Sequence, residues 1–203
     1  MFARLRTSLD ENKDGVMTTV FIGGSRRLAR LNNTIKSRLD NIIRQNFSVV
    51  IGDANVTDKA VQSYLGSKGY RNVTVYCMEE SCRNNLANWP TRSIRVDRSK
   101  KDFTYYATKD QEMANAASYG LMIWDGKSKG TINNILNLLA QRKRVLVYFS
   151  PHKSCLTLKS LEDIPVLLGK CGEDDKRRLK RVLSVATVHS DQEELDLSGD
   201  SVA

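Results

Sequence analysis

The first residues that could do chemistry form a glycine turn near the start of the chain. Residues 18–22 are a short β-branched and aromatic run, and Gly23-Gly24-Ser25-Arg26 follows it directly. Glycines let backbone N–H groups approach a phosphate closely, while Ser25 supplies a hydroxyl and Arg26 a forked cation. Because glycine also favours ordinary corners, this turn taken alone fits a phosphate-binding loop and a simple turn equally well.

A second turn places two carboxylates between an apolar run and a predicted helix. Gly52-Asp53 comes directly after residues 47–51, and Asp58 lies at the start of the helix predicted over 57–68. We expect Asp53 to face the crevice at the strand end and to accept hydrogen bonds from a ribose or a base. For Asp58 two roles remain open: contact with a ligand and stabilisation of the helix N-terminus.

The third turn, residues 124–131, is the most specific of the three. A carboxylate stands at the strand end, and a Gly-Thr pair stands at the start of the next helix, where backbone N–H groups would hold a phosphate. The Gly-Lys-Ser/Thr order of a Walker A loop is absent there, so phosphate hydrolysis by that route is not expected. The predicted ligand contacts in this turn are Asp125, Gly126, Lys127, Ser128, Gly130 and Thr131.

Alternating strand and helix patterns predict how these turns are brought together. Short apolar runs alternate with amphipathic segments of about a dozen residues. The runs cover 18–22, 47–51, 73–77, 119–124 and 145–149, and the helical segments cover 33–45, 57–68, 105–117 and 131–141. This pattern predicts an α/β, Rossmann-like three-layer sandwich, with a mostly parallel central sheet and helices on both faces. The carboxyl ends of such strands share one edge, where the three turns would meet.

A long connection interrupts this alternation. Residues 78–102 show no clear period, which predicts a partly ordered loop of the kind that is often functional. Two roles remain open for it. In one, Trp89 belongs to a lid that stacks on a base while Arg83 reaches a phosphate; in the other, the same residues anchor the connection to the core.

Length and composition predict one domain with tails. The 203 residues suffice for one well-buried core, and we expect an N-terminal extension at 1–17, the ligand-binding domain at 18–169, a charged helical extension at 170–190 and a disordered acidic tail at 191–203. No apolar run has the length of a membrane span and no signal peptide is evident, so a cytoplasmic location without a membrane partner is predicted. Four scattered cysteines favour reduced thiols and no metal site.

The net charge of +9 leaves the nature of the surface open. The basic residues are spread along the chain and not concentrated in one run, which fits a mixed solvated surface. They also fit a basic accessory protein that tracks a nucleic-acid backbone. Only 7% of the residues are aromatic, which disfavours a long single-stranded contact by base stacking.

Three segments together resemble the SLOG superfamily: residues 20–26, Gly52-Asp53-Ala54-Asn55 with Asp58, and residues 123–131. This Rossmann-like group includes the DNA-processing protein A fold, the Lonely Guy phosphoribohydrolases and relatives of nucleoside deoxyribosyltransferases. The resemblance covers residues 18–169 and is closest to small bacterial and phage members. It implies a pocket for a nucleotide or nucleotide-derived ligand and leaves self-association open, and the sequence identifies no certain cofactor beyond that ligand. The implied pocket residues are Gly23, Gly24, Ser25, Asp53, Asp125, Gly130 and Thr131.

One departure from the pattern bears on catalysis. The enzymes in this group end their last ligand loop with Gly-Thr, two residues and a catalytic Glu, whereas this chain has Asn134 at that position. An amide can bind but cannot act as a nucleophile or base. We therefore expect nucleotide binding or sensing without robust catalysis. The alternative is an N-glycosidase or deoxyribosyltransferase-like enzyme that uses Asp53, Asp125 or Glu112 instead. For Glu112 and its neighbour Asp110, simple exposure on the helix surface is the competing interpretation.

Overall fold

The computed structural model describes residues 17–96, 103–180 and 182–183. These residues form an α/β fold with a seven-stranded sheet. The strands are β1 (Thr19–Gly24), β2 (Ser48–Gly52), β3 (Val73–Met78), β4 (Thr91–Ile94), β5 (Tyr119–Trp124), β6 (Val145–Phe149) and β7 (Ser154–Leu158). The helices are α1 (Asn33–Arg44), α2 (Thr57–Ser67), α3 (Phe103–Ala116), α4 (Lys129–Ala140) and α5 (Ile164–Gly169).

The sheet has the order β4-β3-β2-β1-β5-β6-β7, and only the β6–β7 pair is antiparallel. The chain builds outward from β1 through β2 and β3 and then returns to place β5 on the other side of β1. The strand order therefore reverses between β1 and β5, which is where open parallel sheets form their ligand crevice. The predicted Rossmann-like three-layer sandwich is confirmed.

Two apolar clusters form the core. One joins buried residues of α1 and α2, such as Leu39 and Leu65, to the inner strands. The other joins α3 and α4, through residues such as Met113 and Ile135, to the same sheet. It also takes in Leu179, from residues 173–180, which are helical and fall within the predicted charged extension. The predicted acidic tail and residues 1–16 of the predicted extension lie outside the described residues.

The long connection differs from its prediction. It contains β4, a parallel edge strand whose residues are largely exposed, and for that reason the sequence carries no apolar signal for it. Trp89 is buried, and its indole Nε1–H donates a hydrogen bond of 2.8 Å to the carbonyl of Tyr70. Of the two roles left open for Trp89, the structure shows the anchor. The antiparallel strand β7 was also not predicted.

Cysteine pairing also differs from the sequence expectation. Cys77 at the end of β3 and Cys82 in the following turn form a disulfide, with their Cα atoms 5.0 Å apart. The expectation of reduced thiols is wrong for this pair, because the turn after β3 brings Cys82 back beside the strand. Cys155 and Cys171 are free thiols. Among the described helices, none combines the length and apolar character that crossing a membrane would take.

Candidate functional site

A cavity of about 460 Å³ lies at the carboxyl ends of β1 and β2, next to the point where the strand order reverses. Its volume is within the range of small-molecule sites. The wall is formed by the turns after β1 and β2, the first turn of α2, one face of α3 and the start of α4, together with Arg83 from the connection after β3. The lining residues predicted from the sequence are Gly23, Gly24, Arg26, Gly52, Asp58, Arg83, Ser128, Gly130, Thr131 and Asn134. The three turns thus surround one hollow.

Two glycines are required by close approaches in this wall. A Cβ atom on Gly24 would collide with the Thr57 side chain and lie 2.9 Å from the Ile123 carbonyl oxygen. A Cβ atom on Gly52 would lie 2.6 Å from Asp58 Oδ2 and 3.1 Å from Lys109 Nζ. Glycine at these positions allows β1 to meet α2 and allows an acid and an amine to approach the end of β2.

Asp53 does not face the cavity as expected. It is buried beside the cavity, where its Oδ1 accepts hydrogen bonds from Lys109 Nζ at 2.7 Å and from Arg83 Nη2 at 2.8 Å. Its Oδ2 accepts from the Nε and the backbone N–H of Arg83 at 3.0 and 3.1 Å. Burial by itself would raise the pKa of Asp53, but the Arg83 hydrogen bonds and the Lys109 charge outweigh it and hold the pKa well below its usual range. We call these three residues the ion cluster.

Two other carboxylates do line the cavity. Asp58, in the first turn of α2, accepts a hydrogen bond from the Ala54 N–H at 3.2 Å, and Asp110 stands on the inner face of α3. Burial raises the pKa of each to about 6, against the opposing charge of Lys109. Each carboxyl therefore exchanges its proton near neutral pH, which is the property that acid–base chemistry and hydroxyl recognition both use. We call Asp58 and Asp110 the cavity acids.

Asn134 connects α4 to one cavity acid. With its amide oriented to satisfy both neighbours, the Asn134 nitrogen donates to Asp110 Oδ2 and to the Gly130 carbonyl, each at 3.2 Å. Asn134 is thus one hydrogen bond away from a carboxylate supplied by α3. Asn134 itself is buried and lines the cavity.

The turn after β5 is organised around Asp125, which does not line the cavity. Its Oδ1 accepts hydrogen bonds from the Ser25 hydroxyl at 2.9 Å and from the backbone N–H groups of Lys127 and Ser128 at 2.9 and 2.8 Å. Ser128 then caps α4 by accepting from the Thr131 N–H at 3.4 Å. Asp125 therefore shapes the turn that presents the α4 N-terminus, and a direct catalytic part for it has no support in this geometry.

The mouth of the cavity is cationic and aromatic. Tyr106 of α3 has the Arg26 guanidinium carbon 5.9 Å from its ring centroid and that of Arg83 at 5.4 Å. Both arginines line the cavity, and the Asp53 carboxylate fixes the plane of the Arg83 guanidinium by two of its nitrogens. The attraction between a guanidinium group and an aromatic ring is modest and favours this arrangement of the three side chains.

The remaining predicted site residues lie elsewhere. Glu112 forms a 3.4 Å ion pair with Arg92 and does not line the cavity. Lys127 is half exposed and pairs with Asp175 at 3.7 Å. Ser25 and Gly126 support the walls, Ser25 through its buried hydroxyl and Gly126 through a backbone turn with φ of +78°.

Sequence reasoning missed most of the contribution of α3, from which it had considered only Asp110 and Glu112. Its cavity residues include Phe103, Tyr106, Lys109, Asp110 and Met113. A signal was present, since positions 103, 106, 110 and 113 are spaced three or four residues apart and fall on one helix face. A face that mixes aromatic, acidic and apolar residues resembles neither a core stripe nor a solvated surface. No group of His, Cys, Asp or Glu that could hold a metal occurs among the described residues.

The fold and the site together define the class: an α/β protein of Rossmann-like build with a polar cavity at the carboxyl ends of its parallel strands. Comparison of the sequence with models of protein families and with curated proteins finds no match in either.

Proposed function

We propose that the cavity binds a nucleotide or a nucleotide-derived phosphorylated ligand, as a binding or sensing module without robust catalysis. The observation that carries the proposal is the meeting of three glycine-bearing turns, two arginines and the α4 N-terminus around one cavity of about 460 Å³. Helix N-termini and glycine turns present N–H groups and partial positive charge to anions. Arginine adds a forked, charge-assisted contact to phosphate.

The cavity acids support a sugar next to that phosphate. A bare phosphate site would not place Asp58 and Asp110 in the same cavity, because two carboxylates repel an anion. A carboxylate is an acceptor for hydroxyl donors such as those of a sugar. A ligand with an anionic part and a hydroxyl-bearing part satisfies both regions of the wall.

A thermal-shift and calorimetric screen tests this proposal. Nucleoside mono- and diphosphates and nucleotide sugars are the probes, and a ligand at a hundredfold its dissociation constant should add about 2.7 kcal/mol to the free energy of unfolding. Arg26→Ala should weaken binding tenfold or more, whereas Arg27→Ala, which removes an exposed arginine that does not line the cavity, should leave it unchanged. A complete screen without any stabilisation of the wild-type protein would refute the proposal.

A second candidate function is N-glycosidic cleavage, and one observation favours it. The Asp110 carboxyl, with a pKa of about 6, is hydrogen-bonded to Asn134 and so lies close to where the missing Glu would act. Such a group, paired with Asp58 in the same cavity, has the residue types that cleavage through an oxocarbenium-like transition state requires. The carboxylates predicted from the sequence for this role, Asp53, Asp125 and Glu112, do not line the cavity.

Chromatographic detection of free base separates the two candidates. The wild-type protein is incubated with nucleosides and nucleoside monophosphates, alongside Asp110→Asn and Asp174→Asn, the latter removing an exposed carboxylate remote from the cavity. Base release that is lost in Asp110→Asn and kept in Asp174→Asn would establish the enzyme. Ligand binding without base release supports the binding module.

A further inference from the structure

Phe103 has an unusual position for a large apolar side chain. Its side chain is 50% exposed, and it lines the cavity from the first turn of α3. Three other large hydrophobic side chains are exposed among the described residues, Met17, Leu86 and Val166, and none of them lines the cavity. A single exposed hydrophobic side chain is common on protein surfaces, but this ring stands in the wall of the cavity, where its face can contact a bound molecule.

The neighbouring aromatic residue is already engaged. The Tyr106 ring lies edge-on to Tyr105 at 5.2 Å and has the guanidiniums of Arg26 and Arg83 beside it. Within the part of the chain that the structure describes, no ring–ring or cation–ring contact involves Phe103. Of the two aromatic residues in the α3 wall, Phe103 is the one whose ring can take a further planar partner.

The spacing along α3 sets the size of that partner. Phe103, Tyr106 and Asp110 share one helix face, and seven residues of helix correspond to about 10 Å along the axis. A ligand that touches both Phe103 and Asp110 therefore has an aromatic end and a polar end about this far apart. A lone phosphate or a lone sugar is too short, whereas a nucleoside or nucleotide has the required reach and the required order of chemistry.

We propose that Phe103 is a specificity-determining residue of the site, on which the nucleobase of the ligand stacks while the sugar lies toward Asp58 and Asp110. This inference rests on the proposed function and adds to it the recognition of the base. Stacking tolerates any base, since every base has a π-face. The site therefore discriminates nucleotides from sugar phosphates more strongly than it discriminates one base from another.

Calorimetric titration with base-containing and base-free probes tests this inference. The probes are AMP, GMP, CMP, UMP and ribose 5-phosphate, and the proteins are wild type, Phe103→Ala, Phe103→Tyr and Val166→Ala. Loss of one stacked base weakens binding by about fivefold or more, so Phe103→Ala should lose at least this factor for the nucleotides and less than twofold for ribose 5-phosphate. Phe103→Tyr should retain nucleotide binding, and Val166→Ala, which truncates an exposed side chain of α5 away from the cavity, should match the wild type.

The outcomes separate this inference from the function on which it rests. If wild type binds nucleotides and Phe103→Ala binds them equally well, the stacking role is wrong and the proposed function stands. The same conclusion follows if the variant loses equal affinity for nucleotides and ribose 5-phosphate, since that loss reports a disturbed cavity. If wild type binds neither these five probes nor any nucleoside diphosphate or nucleotide sugar of the thermal-shift screen, both proposals are overturned.

Discussion

The ion cluster and the cavity acids lie at the same edge of the sheet, and the surroundings of their carboxylates differ in one respect. Asp53 has Arg83 and Lys109 bonded directly to it, whereas Asp58 and Asp110 face the cavity with only partial compensation from Lys109. Burial raises the pKa of all three carboxyls, yet the direct partners reverse the direction for Asp53 alone. A buried carboxylate bonded to its own cations is structural, and one that lacks them remains available to a ligand.

Loss of the Asp53 charge should have the largest effect. Asp53→Asn leaves Lys109, which is only 3% exposed, without its bonded counter-charge. It also removes the carboxylate that accepts hydrogen bonds from two nitrogens of the Arg83 guanidinium. Breaking one side of a buried pair costs about 3 to 5 kcal/mol. Denaturant unfolding should show a loss of this order. The matched control is Glu112→Gln, which breaks an exposed 3.4 Å pair and should cost less than about 1 kcal/mol. Equal losses in the two variants would contradict the assignment of Asp53 to the structural group.

A side chain at Gly52 should disturb the ion cluster and one cavity acid at the same time. In Gly52→Ala the new methyl group stands 2.6 Å from Asp58 Oδ2 and 3.1 Å from Lys109 Nζ, so both side chains must move. We expect a loss of about 1 to 3 kcal/mol in unfolding free energy, together with weakened ligand binding. Gly169→Ala is the control, because no atom lies within 4 Å of the added carbon there. Wild-type ligand affinity in Gly52→Ala would show that binding does not depend on the position of the Asp58 side chain.

The cavity acids should give stability a characteristic pH dependence. Their pKa values rise from 3.8 in the unfolded chain to about 6 in the folded protein, so the folded state holds more protons between pH 4 and 6. The stabilisation from the protonated forms is fully present below pH 4 and is lost as the pH rises through 6. Asp58→Asn and Asp110→Asn should each raise the unfolding free energy at pH 7 by about 1 to 2 kcal/mol and flatten the curve.

Urea unfolding at intervals from pH 4.5 to 7.5 measures this dependence. Asp174→Asn, an exposed carboxylate paired with Arg177, should keep the wild-type curve. The ion cluster contributes with the opposite sign and in a different window, since the stability that Asp53 provides is present above pH 4 and is lost only as the pH falls toward its low folded pKa. A flat wild-type curve from pH 4.5 to 7.5 would contradict the raised pKa values.

Much of the sheet could be predicted from the sequence, for reasons that particular strands show. β5 and β6 are buried apolar runs bounded by turn residues, and their predicted bounds match the structure. β4 could not be predicted, because its residues are largely exposed and polar and only its pairing with β3 makes it a strand. The meeting of the three turns followed from parallel topology, which fixes the edge where strand ends lie.

The chemistry at that edge was less predictable. The direction of Asp53 depends on Arg83, thirty residues later, and on Lys109, from a helix that crosses the strand ends. Neither partner is visible in the local pattern around Asp53. In sequence Asp110 resembles a surface residue, because the other walls of the cavity that it faces come from distant parts of the chain. Local sequence thus indicated where a cavity would form, and tertiary contacts decided which carboxylates face it.

Asp125 provides a third case, and its replacement by Asn should have the smallest effect. Its Oδ1 accepts from one hydroxyl and two backbone N–H groups, and the described residues place no cation within ion-pair distance of it. Asn retains an oxygen for the same three donors, so Asp125→Asn should change the unfolding free energy by less than about 1 kcal/mol. Asp125→Ala leaves the three donors without an acceptor and should lower the unfolding free energy by about 1 to 3 kcal/mol. Ligand titration of Asp125→Asn should reproduce the wild-type affinity, because the turn and the α4 N-terminus keep their shape. If Asp125→Asn loses binding while its stability is unchanged, the Asp125 carboxylate acts on the ligand directly. In that case the hydrogen-bond partners of a carboxylate do not by themselves tell whether it is structural or ligand-facing in this fold.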